Sequence, residues 1–281
     1  MNALTLNGRV LAVLRDGTDI EQALSPRPYL HPVHTLAGTV VTERRPADHL
    51  HHFGVSVAVP DVSGTSFWGG RTFTPDRGSV LLDNHGTQRH VSWLELAEDR
   101  RVELLSWTDP QGDELLSEER TLRAVDLDER TWVLDVRTGL RNTSGRDLSI
   151  GSPATNGRPG AGYGGLFWRA PLSATAPRIS GAGGLRGERD LHGSRARWLA
   201  MAGLTESKWT LLFCQPGEHI DPWFLRAEEY PGVGPALAWD ERLPLPQGAR
   251  LQRRLRVAVR DGHPDHAQDL EELAVSVQNL P

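Results

Sequence analysis

The 281-residue chain holds one cysteine, Cys214, and one lysine, Lys208. A single cysteine excludes an internal disulfide and a cysteine-based zinc site. It ends the apolar segment Trp209-Thr210-Leu211-Leu212-Phe213-Cys214, so it reads as a quiet core thiol and not as a nucleophile. The remaining basic residues are all arginine, which reads as coding bias. No apolar run approaches the roughly 18 residues of a spanning helix, so no membrane association is expected. Met1 to Asp16 lacks the basic start and apolar core of a secretory leader, which points to the cytoplasm. A net charge of −5 leaves no general basic face, and nucleic acid is not an expected partner. A G-x-S-x-G elbow, a Walker loop and an H-E-x-x-H helix are also absent.

Helical periodicity is scarce too. It occurs clearly in one segment, 264–279, where Pro264 suits a first turn and Ala267, Leu270, Leu273, Ala274 and Val277 share a face. Strand alternation runs through Val55–Val59, Val102–Trp107, Trp132–Leu140 and Leu251–Val259. Val10–Leu14 and Leu211–Cys214 are short continuous apolar runs, suited to strands buried on both faces. Turn chemistry separates these runs, as in Asp109-Pro110-Gln111-Gly112 and Asn142-Thr143-Ser144-Gly145. Close spacing over 79–152 predicts an antiparallel meander, and Ser180–Ser194 reads as a mobile surface loop. The expected fold is all-β: one large antiparallel β-sandwich domain over 1–281, covered by the C-terminal helix.

Three clusters carry the chemistry. Asp48-His49-Leu50-His51-His52-Phe53 packs three imidazoles beside a carboxylate, a grouping suited to proton transfer, metal ligation or gripping a polar ligand. In strand geometry His49 and His51 would share one face, and Asp48 and His52 the other. His85-Gly86-Thr87-Gln88-Arg89-His90 reads as a tight connection that presents two further imidazoles to the first cluster. In Tyr163-Gly164-Gly165-Leu166-Phe167-Trp168-Arg169, an indole beside a guanidinium suits a sugar ring, with Tyr163, Asn156 and Arg158 adding hydrogen bonds. The preceding glycines match G-x-G-x-x-G literally, but an extended segment broken by Pro171 follows where a dinucleotide site needs a helix. A fourth region, Asp221-Pro222-Trp223-Phe224-Leu225-Arg226 with Glu228, Glu229 and Tyr230, offers carboxylates among aromatics.

The sequence resembles a bacterial family that carries the label methane oxygenase PmoA. The matching stretches are Arg27–Pro32, Arg45–Gly54, Asp61–Gly64 with Phe67-Trp68, Gly162–Arg169 and Asp221–Arg226, within roughly residues 25 to 262. Ser63 stands where that pattern has Asn, and Leu50 where Pro is common. A membrane oxygenase subunit would need spanning segments, which this sequence lacks. The resemblance instead implies an uncharacterised soluble protein of the kind found beside sugar oxidoreductases and sugar-uptake genes. A looser similarity is to the galactose-mutarotase-like sandwich. It rests on Trp107–Glu119, Trp132–Ser144 and Leu243–Gly248, and it implies a fold that hosts sugar epimerases, lyases and hydrolases.

Together these readings predict a carbohydrate-active enzyme using histidine acid–base chemistry on a small-molecule sugar. His51 or His52 would transfer the proton and Asp48 would orient one of them. His85 and His90 would bind hydroxyls or share the transfer. His49, Arg169, Trp168, Tyr163, Asn156 and Arg226 would hold the substrate. No cofactor is favoured. The alternatives are a non-catalytic sugar-binding or sensory protein, and a divalent-metal enzyme with His51, His52, His85 and His90 as ligands. The oligomeric state is not encoded in any pattern found.

Overall fold

The computed structural model describes residues 3–281. Its larger sheet has eight strands in the spatial order Arg178–Gly181, Trp198–Leu204, Lys208–Cys214, Arg250–Asp261, Thr131–Asn142, Glu114–Asp128, Arg100–Thr108 and Thr87–Leu96. The four strands between Thr87 and Asn142 are consecutive in sequence and adjacent in space, which is the predicted meander. The smaller sheet has seven, in the order Ala3–Leu6, Arg9–Arg15, Tyr29–Val33, Val55–Ala58, Gly165–Arg169, Gly232–Pro235 and Trp223–Arg226. All pairings within both sheets are antiparallel.

Alternation sets which side chains face inward. Val55, Val57, Leu166, Trp168, Leu225 and Val233 of the smaller sheet meet Trp107, Leu122, Leu134, Val136, Phe213 and Val257 of the larger in one core. The apolar run Leu211–Cys214 is buried on both sides. Leu211 and Phe213 enter the core between the sheets, while Leu212 and Cys214 lie under the C-terminal helix Ala267–Gln278. That helix contributes Leu270, Leu273 and Val277, whose burial stabilises by roughly 5–9 kcal/mol against full exposure. Burial also pushes the Cys214 thiol up to about 12, so it stays protonated. Val10–Leu14 departs from the doubly buried reading: its strand lies next to the sheet edge, and Val10 is 36% exposed.

The stretch Ser180–Ser194 is ordered, contrary to the loop expected there. It continues the strand Arg178–Gly181 into the helix Gly187–Leu191, anchored by the fully buried Leu191. Among the described residues no helix is long and apolar enough to cross a membrane.

On the smaller sheet the same alternation turns Phe167 and Arg169 away from the core. Together with Trp68, Phe224 and Tyr230 they form a second, outer aromatic layer, flanked by Tyr163 and Trp239. The histidine cluster sits at one end of this layer.

Candidate functional site

Residues 46–52 curl through two successive turns, with His49 N–H donating to Pro46 O and His52 N–H to His49 O. The loop is closed at its neck where Arg45 N–H donates to His52 O (2.8 Å). Two turns replace the expected strand geometry, so the alternation inferred for these residues fails. His49 folds back onto His52, their rings 4.5 Å apart and 14° from parallel. Gly54 then lets the chain enter its strand: a Cβ there would lie 2.0 Å from Leu30 O at a φ of +41°, so only glycine is accommodated.

Arg169 organises the cluster. It has no solvent contact, and its Nη2 donates to both Asp48 oxygens (3.0 and 3.1 Å). Its Nη1 donates to His52 Nδ1 (3.4 Å), which puts the His52 proton on Nε2. The guanidinium lies over the Tyr230 ring, 4.7 Å from its centre. Asp48 uses Oδ2 a second time to accept from His49 Nδ1 (2.9 Å). Partial burial pushes the Asp48 carboxyl up, but the hydrogen bonds from His49 and Arg169 outweigh it and hold the group below its ordinary range. The carboxylate therefore orients His49, not His51 or His52 as the sequence suggested.

Charge is disfavoured on His51 and His52. Burial first, then the Arg27 charge, pushes His51 down to about 3. Burial, then the neighbouring His51, pushes His52 well below its ordinary value. Both are therefore poor imidazolium acids near neutral pH, while a neutral imidazole keeps the capacity to accept a proton. Within the cluster, His49 combines solvent contact with a carboxylate on Nδ1, its side chain 31% exposed.

His85 supports the cluster from behind. Its Nε2 hydrogen-bonds Gly70 O (2.7 Å), and Gly70 faces the His51 ring. A Cβ on Gly70 would approach His51 Nδ1 to 2.9 Å, at a φ of +73°. The buried Arg27 fixes the other side, donating to the carbonyls of His51, Trp68, Leu24 and Ser25. The sequence reading missed Arg27, Gly70 and Trp68, although Arg27 and Trp68 lie within the stretches that carry the resemblance.

The aromatic layer extends from His52 through Trp68 to Tyr163 and Phe224, with neighbouring rings 4.6–5.8 Å apart. Arg226 lies over Phe224 at its far end, held by Glu188 and His192. Burial pushes the Tyr163 phenol up to about 12 and raises that of Tyr230 further, so both stay protonated. Trp168 is not part of this face. It points into the core, donates to Val41 O (2.9 Å) and packs edge-on against Phe213, so it cannot stack on a sugar. Asn156 is occupied at both ends of its amide by Asp61 and Arg242, and it braces a loop instead of presenting free hydrogen-bonding groups.

His90 also lies elsewhere. Thr87–Leu96 is a strand rather than a turn, so His85 and His90 diverge, and His90 Nδ1 meets Glu103 (2.8 Å) at a cavity between the sheets. The four imidazoles of the alternative metal set therefore do not converge. Among the described residues no three His, Cys, Asp or Glu side chains are arranged to hold an ion.

Ser63, in the position where the resembled pattern has Asn, has a φ of +48°, a conformation asparagine adopts more readily than most residues.

Among solved structures, the chain overlaps part of a heparan sulfate lyase, the HepC mutant from Pedobacter heparinus, with a TM-score of 0.28 and 10% identity. The overlap covers 76% of this chain and 24% of the lyase, so the chain spans about a quarter of that protein's length. No curated protein matches the sequence. The family that does match has no assigned activity, and its description bears no methane oxygenase label. Residues 2–274 match the model of a family of unknown function (DUF6807), and the chain belongs to that family.

Proposed function

We propose that the outer face of the smaller sheet binds a carbohydrate and that His49, oriented by Asp48, transfers the proton in a reaction of epimerase, lyase or glycosidase type. The observation that carries this reading is the chain Arg169–Asp48–His49 at the edge of an aromatic layer. A carboxylate on Nδ1 fixes the tautomer and ring orientation of an imidazole and leaves Nε2 for substrate, which suits general acid–base work. Of the aromatic rings, the half-buried Tyr163 and Trp239 can offer faces to the C–H side of a sugar, and the buried Trp68, Phe167, Phe224 and Tyr230 form the floor beneath them. The protonated phenols of Tyr163 and Tyr230 supply donors for hydroxyls, and Arg226 supplies a cation at the far end. His51 and His52, neutral and packed, position the His49 ring.

The test is a panel of sugars and keto-sugars followed by NMR with wild type and His49→Ala. A placed acid–base group is worth about 100- to 10,000-fold, so the variant should lose at least 100-fold in turnover while keeping its fold and sugar affinity. Unchanged turnover on a proven substrate would remove His49 from the mechanism. The uncharged state of His51 and His52 favours one other reading, a non-catalytic sugar-binding or sensory protein. That reading predicts saturable binding with no turnover, and His49→Ala would then change affinity alone.

A further inference from the structure

The second destination of the predicted histidines leads to a different site. Where the first strands of the smaller sheet face the meander of the larger one, the sandwich does not close. A cavity of about 280 Å³ lies between them. Protein interiors are packed to near crystal density and leave few voids larger than a water molecule. An apolar cavity of about 150 Å³ already accommodates a benzene-sized molecule, so this space fits a substituted or two-ring compound.

Its walls are of two kinds. Val57, Leu122, Val136 and Leu166 give aliphatic surface from both sheets. Arg15, Asp16, Thr18 and Arg89 line its exposed part, and the buried polar groups are mostly used up among themselves. Arg120 donates to Glu118, to Gln88 Oε1 and to Pro28 O, and Gln88 Nε2 donates to Val57 O. Glu118 also accepts from Trp107 and Thr138. Glu103 differs. It is 4% exposed, its Oε1 is bonded to His90 Nδ1, and among the described residues its Oε2 meets no donor. An acceptor at a cavity wall that no protein donor reaches takes its hydrogen bond from water or from a ligand.

The occupant's chemistry follows from these walls. A sugar is disfavoured because most of its hydroxyls would lose water and find aliphatic carbon. An ammonium head would meet Arg120 in the same wall, and an anion would meet Glu103. A neutral hydroxyl avoids both penalties. We propose that this cavity binds a compact, largely apolar alcohol or phenol, its ring between the aliphatic walls and its hydroxyl donating to Glu103 Oε2. This site is separate from the histidine face and does not depend on the reading given for it.

The probe is 2-naphthol, titrated into the full-length protein by calorimetry and by its own fluorescence, with 2-methoxynaphthalene as the ligand lacking a donor. One saturable site is expected for 2-naphthol, with binding at least tenfold weaker for the methoxy compound. Val136→Phe and Leu122→Phe fill the space from two positions, and either variant that folds should abolish binding. Glu103→Gln, which keeps an acceptor, should reduce affinity severalfold without abolishing it. No saturation by 2-naphthol at millimolar concentration would overturn the proposal. So would equal binding of the two ligands, or unchanged binding in a folded cavity-filling variant. Binding lost in His49→Ala but kept in Val136→Phe would place the ligand on the histidine face and refute the assignment equally.

Discussion

Asp48→Asn tests the centre of the candidate site. The substitution removes the charge opposite a guanidinium that has no contact with water. Removing one partner of a fully buried ion pair costs about 3–5 kcal/mol, whereas an exposed pair is worth at most about 1 kcal/mol. Arg169 is at the buried limit with 0% side-chain exposure, but Asp48 keeps 35%, so water screens one side. The cost therefore falls between the limits, at about 2 kcal/mol, because the Asn carbonyl still accepts one hydrogen bond from Nη2. For a chain of this size about 2 kcal/mol lowers Tm by roughly 3–4 °C at neutral pH. The double variant Asp48→Asn/Arg169→Met removes the stranded cation as well, so it should recover at least half of that loss. The pH dependence has a fixed sign. The folded carboxyl titrates below the ordinary value of 3.8, so its contribution is present above that value and is lost as pH falls through the folded one. The gap between wild type and Asp48→Asn should close at the acid end. Scanning calorimetry across pH reads all three quantities. An unchanged Tm for Asp48→Asn, or a double variant less stable than the single one, would refute the claim that Asp48 neutralises Arg169.

Two further expectations follow from the same geometry. Gly70→Ala puts a side chain on a left-handed backbone and against His51 Nδ1, so it should destabilise by about 1–2 kcal/mol or more and displace the His51 ring. Thermal unfolding and the His51 imidazole NMR signals check this, and wild-type stability with unshifted signals would count against the packing. His51 and His52 should remain neutral at pH 5, read from their ring ¹⁵N shifts. Because they charge only on unfolding, stability should decline from about pH 6.5 downward, by on the order of 1.4 kcal/mol per pH unit for each such group. An imidazolium signal from either at pH 6 would contradict the burial argument.

The fold was legible because it rests on local periodicity. Alternation in Trp132–Leu140 and Leu251–Val259, with turn residues between strands, suffices for long antiparallel neighbours, and the 3.6-residue period in 264–279 gives the helix with its boundaries shifted by only a few residues. The short strands of the smaller sheet were less legible. Val55–Ala58 and Gly165–Arg169 pair across more than a hundred residues, and nothing local encodes that partnership. Without it, the face on which Trp168 falls cannot be known. One register step separates the core indole from the outward Arg169, and the sequence reading placed both residues on the same ligand.

The two histidine segments show why residue type locates a site more reliably than it assigns roles. Both were read as loops converging on one centre. His85 does reach the first cluster, but only through the backbone of Gly70. His90, five positions on, belongs to a strand that leaves it largely exposed, with its Nδ1 on the buried Glu103. Within the first cluster the decisive variable was burial, which adjacent residues need not share. Three imidazoles within four positions have the same intrinsic chemistry. Two of them lie among aromatic rings and guanidinium groups, where a positive charge is penalised by lost hydration and by repulsion. His49 alone sits at the rim, with a carboxylate on Nδ1. It is set there by a turn that no pattern of alternation anticipates.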